Sequence, residues 1–325
     1  MISIIVPAYN AAQTLPVCLA ALQRQTQPSD EIIVVNDGSQ DQTAQVPREF
    51  GALLLEQPHQ GPAAARNLGL RQANGDIVLL TDADCEPEPT WVAEMIRPFA
   101  DPRVMGVKGS YRTHQQARVA RLAQCEFEER YDMLERLPTI DFIDSHAAAF
   151  RTSVLRESGG FDPAFSQANN EDVDLSYRLA EKGLKLVFNR QAVVYHRHPA
   201  TWGAYLRLKI KRGYWRMVVY RLHPRKALRD SYTPQLLKMQ VFLLYLLGSL
   251  AVLALIWPVF VWGAIISLGC LFLSTIPFTQ RVMQQDSSLA IWAPFFITGR
   301  AFAFAIGTFI GIIGMLVFRP ALPRK

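Results

Sequence analysis

The chain has 325 residues, a formal net charge of +6, 50% hydrophobic and 19% charged residues, and a mean hydropathy of +0.09. These averages hide an uneven distribution, because only three charged residues occur between Met239 and Phe318. The composition excludes a wholly water-soluble globule, a polytopic transporter with spans throughout, and a disordered chain. It predicts a water-soluble domain of about 238 residues followed by a membrane anchor.

The first part of the soluble domain alternates between strand-like and helix-like segments. Residues 2–7 form a short apolar run rich in β-branched side chains, which predicts a strand buried on both faces. Residues 14–25 have the apolar spacing of an amphipathic helix. The alternation continues with predicted strands at 31–36, 52–56 and 76–81 and a predicted helix at 63–72. This order predicts βαβ units and a largely parallel sheet.

The second part of the domain is less regular. Helical patterns cover residues 90–99, 117–134 and 171–182, and short strands are expected at 106–111 and 185–195. Residues 201–222 interleave arginine and lysine with tryptophan, tyrosine and leucine, which is typical of a helix lying at a membrane interface. We therefore divide the chain into a catalytic domain at 1–200, basic interfacial helices at 201–238, and an anchor at 239–325.

The positive charge of the chain is concentrated just before the anchor. Between Arg197 and Lys238 there are eleven basic residues and one acid, Asp230, a local charge of +10. Such a belt is attracted to an anionic leaflet and orients the chain by the positive-inside rule. Because apolar spans follow directly, we favour membrane binding over nucleic-acid binding. The first strand-like run begins at Ile2 without a signal peptide, so we expect the catalytic domain to be cytoplasmic.

The anchor contains three apolar stretches. Residues 241–257 and 259–278 are separated by Pro258, and residues 289–318 are interrupted by Pro294, Gly299 and Arg300. Since a helix needs about 20 residues to cross a bilayer, the last stretch allows one crossing plus an interfacial piece. Three crossings would place the basic tail outside, against the positive-inside rule. Two or three helices are therefore expected in a multi-pass inner-membrane protein.

Polar residues follow three of the predicted strands directly, at the edge where ligands bind in parallel sheets. Asp82 and Asp84 follow the strand at 76–81, and paired carboxylates there can hold a hard divalent cation and a ribose. Asp37 follows the strand at 31–36 and can accept hydrogen bonds from a nucleobase or ribose, or simply form an Asp-Gly turn. Arg66 lies on the predicted helix that follows Gly61. It could bind a diphosphate or simply lie on the solvated surface.

Further candidate groups occur later in the chain. Glu171 and Asp172 start a helical pattern, where acids either cap the helix or, at a pocket, remove a proton from an acceptor hydroxyl. His196 and His198 follow the strand at 185–195 and suit either a structural role or a metal or phosphate. The four cysteines, Cys18, Cys85, Cys125 and Cys270, have no metal-ligand or paired spacing and are expected to be reduced thiols.

Taken in order, the segments IIVPAYN, VVNDGSQDQT, GPAAARNLG, TDAD, GGFD and EDVDLSYRL resemble the successive signatures of family 2 glycosyltransferases, over about residues 2–200. The resemblance implies a Rossmann-like α/β domain of the GT-A fold and inverting transfer from a UDP- or GDP-sugar with Mg²⁺ or Mn²⁺. It implies that Pro7, Ala8, Tyr9, Asp37, Arg66 and Asp82 bind the donor. It further implies that Asp84, Asp82 and His196 bind the metal and that Asp172 is the general base.

One departure bears on the acceptor. Processive members of the family carry a Q-x-x-R-W motif after the E-D pair, whereas residues 208–217 read LKIKRGYWRM. The resemblance therefore implies single transfer to a membrane-resident lipid, such as polyprenyl phosphate or another glycolipid precursor. A small processive polysaccharide synthase and a catalytically silent membrane scaffold of the same fold are the alternatives. The presence of Asp82, Asp84 and Asp172 argues against the catalytically silent scaffold.

Overall fold

The computed structural model describes residues 1–165, 170–228 and 230–317. They form two compact units. The first unit comprises Met1–His114 and the described part of Tyr131–Arg197, and the second comprises Gln115–Arg130 and the described residues after Arg197. The predicted division into three segments is a different partition and stays a prediction.

The first unit is built on an eight-stranded sheet with the order β3-β2-β1-β4-β7-β6-β8-β5. Its strands are β1 (Ile2–Ala8), β2 (Glu31–Asp37), β3 (Leu53–Gln57), β4 (Ile77–Leu80), β5 (Glu86–Pro87), β6 (Val104–Arg112), β7 (Ala148–Arg151) and β8 (Lys185–Tyr195). The neighbours β3-β2, β2-β1, β1-β4 and β6-β8 are parallel. The predicted α/β class and the parallel order of β1 to β4 are thus confirmed.

Helices connect these strands. They are α1 (Leu15–Gln23), α2 (Val46–Glu49), α3 (Pro62–Gln72), α4 (Trp91–Ile96), α5 (Arg118–Glu135), α6 (Thr152–Glu157) and α7 (Glu171–Glu181). The short helices α2 and α6 were not predicted, and the other five lie close to their predicted positions. The helix α3 packs tightly on the sheet, since a Cβ atom on Gly69 would lie 2.6 Å from the Ile5 side chain. This close approach holds the second half of α3 directly against β1.

Strand β7 is the main element that the sequence analysis missed. It reads Ala-Ala-Phe-Arg, which lacks the β-branched residues that indicate a strand. The strand is antiparallel to both β4 and β6, so the expectation of a largely parallel sheet fails here. Leu80 at the end of β4 pairs with Ala148 at the start of β7. The residues just before β7 therefore lie beside Asp82, which follows β4.

The second unit is helical. Besides the first part of α5 it contains α8 (Trp202–Leu222), α9 (Pro224–Leu228), α10 (Gln235–Ala254), α11 (Phe260–Leu273), α12 (Ile276–Gln285) and α13 (Ala293–Val317). One core joins α5, α8, α12 and α13 around Tyr205, Phe278 and Phe296. Helices α8 and α13 cross closely at glycines, because a Cβ atom on Gly307 would lie 2.0 Å from the Ile210 carbonyl oxygen.

Three stretches of this unit are long and apolar enough to cross a membrane: Gln235–Ala254, Phe260–Gln285 and Ser287–Leu316. Large apolar side chains on them are exposed, including Val252 at 64% and Trp262 at 70%. A water-soluble protein does not leave such a surface uncovered, so the stretches indicate membrane association. The number of crossings and their orientation stay predictions.

The last apolar stretch differs from its prediction. A 3₁₀ segment, Ser287–Trp292, leads directly into the 25-residue helix α13. Pro294 lies in the first turn of that helix, where a missing N–H costs nothing, and Gly299 and Arg300 are accommodated within it. The predicted interruption at these three residues was wrong, because a first-turn proline does not break a helix.

Candidate active site

A cleft of about 460 Å³ opens where β1, β2 and β4 end. Because these strands are parallel, the residues that follow them meet at one edge of the sheet. The lining includes every predicted donor-binding residue and two of the three predicted metal ligands, since Asp82 was predicted in both roles: Pro7, Ala8, Tyr9, Asp37, Arg66, Asp82 and Asp84. The structure thus brings together residues that are up to 77 positions apart in the sequence.

Asp37 is buried at the end of β2, with only 3% of its surface exposed. Its carboxylate accepts hydrogen bonds from the Gln57 side chain at 2.6 Å and from the backbone N–H groups of Gln60 and Gly61 at 2.9 and 2.8 Å. The ring Nδ1 of His59 lies 2.9 Å from the Oδ2 oxygen of the same carboxylate. Asp37 therefore fixes the turn that leads into α3, and with it the position of the start of that helix.

An exposed aromatic pair flanks the cleft. The rings of Tyr9 and His59 stack with centroids 4.1 Å apart and an interplanar angle of 26°. Gly38 lets the chain approach His59, because its φ is +72° and a Cβ atom there would lie 2.7 Å from the His59 nitrogen. The flat face of such a pair suits stacking with a heterocyclic base. His59 was not singled out by the sequence analysis.

A buried arginine joins two carboxylates from different parts of the chain. Arg66 donates a hydrogen bond to Asp82 at 2.9 Å and another to Glu171 at 2.8 Å, and only 2% of its surface is exposed. Burial alone would raise the pKa of Asp82, but the charges of Arg66 and His146 outweigh it and hold that pKa far below the ordinary value. Asp82 is therefore a fixed negative charge at the cleft.

His146 is the second partner of Asp82, with its Nδ1 2.5 Å from a carboxylate oxygen. Burial opposes protonation of the imidazole, but Asp82 and, more weakly, Asp144 and Asp172 raise the pKa of His146 to about 9. Its ring also stacks on that of His196 with centroids 4.9 Å apart. At neutral pH, His146 therefore carries a positive charge between the predicted donor-binding and metal-binding residues.

Asp84 and His196 form the group best placed to hold a cation. Their carboxylate oxygen and Nε2 are 3.5 Å apart, and 48% of the Asp84 side chain is exposed. The Cys85 sulfur completes a set of three ligand atoms within 4.8 Å. Burial raises the pKa of the Cys85 thiol well above its ordinary value, so it offers a poor ligand. An oxygen and a nitrogen ligand at an open cleft suit Mn²⁺ or Mg²⁺ that shares its shell with phosphates.

Asp172 lies in the first turn of α7, outside the described cleft lining. Its neighbour Glu171 links it to the cleft through Arg66. Burial, followed by repulsion from Glu171 and Asp144, raises the pKa of Asp172 to about 7. A carboxylate with a pKa near the working pH has the protonation equilibrium expected of a general base.

The remaining predicted groups are His198 and the cysteines. His198 belongs to the second unit, where its backbone and ring contact Gln115 and Gln124 and it stacks on Phe127. This packing favours the structural alternative for His198. The four cysteines are free thiols, as predicted.

The comparisons with known proteins concern mainly the first unit. Residues 3–159 match a family model described as Glycosyl transferase family 2. Glycosyltransferase AglE of Haloferax volcanii is 29% identical over 210 residues, which cover 60% of this chain and 66% of that protein. The pre-mycofactocin glycosyltransferase of Mycobacterium tuberculosis is 31% identical over 215 residues, 61% of this chain and 43% of that protein. The matches thus span less than two thirds of these relatives.

Solved structures share the fold over nearly the whole chain. The mannosyltransferase PcManGT from Pyrobaculum calidifontis, in complex with GDP-Man and Mn²⁺, has a TM-score of 0.61 and 23% identity and covers 96% of this chain and 86% of its own. Residues 1–349 of S. aureus TarS have a TM-score of 0.51 and 16% identity, and the match covers 96% of this chain and 91% of that fragment. At these identities the likeness establishes the fold, which agrees with the predicted GT-A class.

Proposed function

We propose that this chain, a glycosyltransferase of family 2, transfers a sugar from a nucleotide sugar to a membrane-resident lipid with inversion at the anomeric carbon. The observation that carries this proposal is the Arg66 bridge between Asp82 and Glu171. It links the donor cleft to the helix that bears Asp172. A donor-binding group and a general base are thereby held in one buried network.

The donor would occupy the cleft after β1, β2 and β4. Tyr9 and His59 would stack against the base, and Pro7 and Ala8 would form the backbone floor beside the ribose. The contacts of Asp37 favour an indirect role, because hydrogen bonds from Gln57 and from the segment that leads into α3 already occupy its carboxylate. The contacts of Arg66 likewise favour a role in positioning Asp82 over direct contact with the diphosphate, since two carboxylates balance the charge of Arg66.

Asp84 and His196 would hold Mg²⁺ or Mn²⁺, and Asp82, whose charge acts on Asp84, would be a further ligand. When bound, the cation supplies positive charge that stabilises the leaving nucleoside diphosphate. His146 adds a fixed positive charge on the other side of Asp82, which stabilises the same developing negative charge. The Mn²⁺ and GDP-Man in the PcManGT complex support this class of donor and cofactor.

Asp172 would take the proton from the acceptor oxygen as that oxygen attacks the anomeric carbon. The sugar–phosphate bond breaks as the new glycosidic bond forms, and the electron pair leaves with the nucleoside diphosphate. One base suffices because charge stabilisation of the leaving group replaces a general acid, unlike the two-carboxylate arrangement of hydrolases. A single in-line displacement inverts the anomeric configuration.

The membrane-associating helices support a lipid acceptor, because an enzyme held at a bilayer meets lipids at high local concentration. The basic belt between Arg197 and Lys238 supports a cytoplasmic catalytic domain at the inner membrane. Polyprenyl phosphate and other glycolipid precursors are both compatible acceptors. Nucleotide sugars are cytosolic, which agrees with this orientation.

The experiment is a panel of UDP- and GDP-sugars incubated with the purified full chain and a total membrane lipid extract, with and without Mn²⁺. Mass spectrometry should detect one glycolipid product carrying a single sugar, and EDTA should abolish its formation. A product ladder with many sugars would instead indicate a processive synthase. Full activity in EDTA would refute the metal role.

The base is tested with Asp172→Asn. Loss of a positioned general base should lower kcat by roughly 10²–10⁴-fold while the dissociation constant of the donor stays the same. The matched control is Glu181→Gln, the same change from carboxylate to amide at the exposed end of α7. If donor binding disappears together with turnover, Asp172 belongs to the donor site and is not the base.

A further inference from the structure

Three rings from different parts of the first unit meet beside the residues that would hold the metal. The imidazoles of His146 and His196 stack with centroids 4.9 Å apart and an interplanar angle of 13°. The ring of Tyr111 lies 5.9 Å from each of them, at interplanar angles of 82° and 71°. These are the distances and inclinations of edge-to-face ring contacts. Tyr111 therefore packs against the stack as a whole and not against one imidazole alone.

The order of strands explains why these rings meet. Strand β6, which carries Tyr111, lies between β7 and β8 in the sheet. On the β7 side, the N–H of Gly109 donates a hydrogen bond at 2.8 Å to the carbonyl oxygen of Ala147, the residue after His146. On the β8 side, the N–H of His196 donates to a carbonyl oxygen of β6 at 2.9 Å. Tyr111 thus lies on the strand that both histidines border.

Tyr111 is itself held firmly. Only 4% of its surface is exposed, and its backbone N–H donates a hydrogen bond to the hydroxyl of Tyr131 at 2.9 Å. The rings of these two tyrosines meet edge to face with centroids 6.2 Å apart. Tyr131 in turn stacks on Phe188 of β8 at 5.3 Å. A buried ring that packs against neighbours in this way keeps one orientation, because close-packed interiors leave little room for another.

The orientation of His196 decides whether it can bind a metal. Its Nε2 lies 3.5 Å from a carboxylate oxygen of Asp84. An imidazole binds a cation only through a nitrogen lone pair in the plane of its ring, so the neighbours that fix this plane affect the affinity for the metal. The stack on His146 fixes the plane, and Tyr111 supports both rings of the stack.

The same stack is tied to the donor cleft. The Nδ1 of His146 lies 2.5 Å from a carboxylate oxygen of Asp82, which lines the cleft. The ring of His146 is therefore held at its edge by Asp82, and its contacts with Tyr111 and His196 hold it further. Movement of any one of these rings would disturb the others.

We propose that Tyr111 is a positioning residue of the metal site, whose ring holds the His146–His196 stack in the orientation in which His196 and Asp84 bind the cation. This inference rests on the proposed metal site and adds a residue that acts behind the ligands. Groups behind a metal ligand commonly change metal affinity by roughly 10–100-fold when they are replaced.

The test is a calorimetric titration of the full chain with Mn²⁺, in a neutral detergent and without nucleotide sugar. Tyr111→Leu removes the ring but keeps an apolar side chain, and it should weaken Mn²⁺ binding by at least roughly tenfold. Tyr111→Phe is the matched control, because it keeps the ring and removes only the hydroxyl. Its Mn²⁺ affinity should equal that of the unmodified chain. Binding of GDP and UDP in EDTA should be the same in both variants, which shows that the donor cleft is intact.

A second pair of variants tests the stack without changing Tyr111. His146→Phe keeps a ring against His196, whereas His146→Leu does not. Both variants lose the hydrogen bond to Asp82 and the charge of His146, so the difference between them isolates the ring. We expect Mn²⁺ to bind His146→Phe roughly tenfold more tightly than His146→Leu.

Equal Mn²⁺ affinity in Tyr111→Leu and Tyr111→Phe would overturn the proposal, and so would equal affinity in the two His146 variants. Joint loss of Mn²⁺ binding and of nucleotide binding in EDTA in Tyr111→Leu would assign Tyr111 to the general packing of the unit and would overturn it as well. An unmodified chain that binds no Mn²⁺ would instead refute the metal site itself, and that result is distinct from these.

Discussion

Replacing Glu171 by glutamine tests the electrostatic environment of Asp172 while leaving its carboxylate in place. Glu171 is the nearest acidic contributor to the raised pKa of Asp172 after burial itself. Glutamine keeps an oxygen that can accept the Arg66 hydrogen bond, so the bridge to Asp82 can persist. The perturbation therefore removes one negative charge with little change of shape.

The expected shift follows from Coulomb's law. A unit charge about 6–8 Å away at an effective dielectric constant of about 20 contributes roughly 2–3 kcal/mol, or up to about 2 pKa units. Removing the negative charge favours the ionised carboxylate of Asp172, so its pKa should fall. Arg66, no longer balanced by Glu171, acts in the same direction. We expect the pKa of Asp172 to move from about 7 down by one to two units.

The assay is the pH dependence of kcat/KM at saturating metal, from pH 5 to pH 9. For the unmodified enzyme the rate should rise tenfold per unit below pH 7 and level off above it, because only ionised Asp172 accepts a proton. The midpoint of this limb should lie one to two units lower in Glu171→Gln. The control is Glu181→Gln, with the midpoint unchanged.

An unmoved or raised midpoint in Glu171→Gln would refute the reasoning. The limb would then belong to another group, such as the acceptor itself. An acceptor ionisation would appear at the same pH in both variants. A limb that moves in Glu171→Gln alone can be assigned to Asp172.

Three further predictions concern metal, packing and stability. His196→Gln should weaken Mn²⁺ binding at Asp84 by roughly tenfold or more, measured by calorimetry, and equal binding would exclude the Asp84–His196 site. Gly307→Ala should destabilise the helix crossing by about 1–3 kcal/mol in thermal unfolding, whereas Gly269→Ala, with no atom within 4 Å of the new Cβ, should not. Asp172→Asn should raise the unfolding temperature at pH 8, because folding raises this pKa to about 7. The resulting loss of stability grows from about pH 4, where the carboxylate of the unfolded chain ionises, and is complete above about pH 7. No gain at pH 8, or an equal gain at pH 4, would contradict the raised pKa.

Most of the fold prediction rests on patterns among residues that are close together in the sequence. Strands β1, β2 and β4 are continuous apolar runs, and α3 follows a glycine and begins with proline. Such signals lie within a few neighbouring residues, so they are visible in a single sequence. The same holds for the apolar anchor, whose composition differs sharply from that of the rest of the chain. Strand β7 was not predicted, because its four residues are rich in alanine and carry no such local signal.

The site was predicted as a set of residue types but not as a network. Asp82, Asp84 and Asp172 stood out because each directly follows a strand or starts a helix. The Arg66–Glu171 contact joins residues 105 positions apart, and His146 reaches Asp82 across 64 positions. Nothing in the local sequence specifies such pairs, because they depend on the order of strands in the sheet.

The βαβ order, the acidic turns at the ends of the strands and the apolar anchor could be predicted from the amino-acid sequence, since they depend on neighbouring residues and their affinity for water. Which charged groups meet depends on the folded chain. The fold placed β7 antiparallel to β4, which brings His146 to Asp82. It also gathered Glu126, Lys209 and Arg300 from three separate helices. Charge interactions depend on distance in space and on burial, so pKa shifts arise only once the chain is folded.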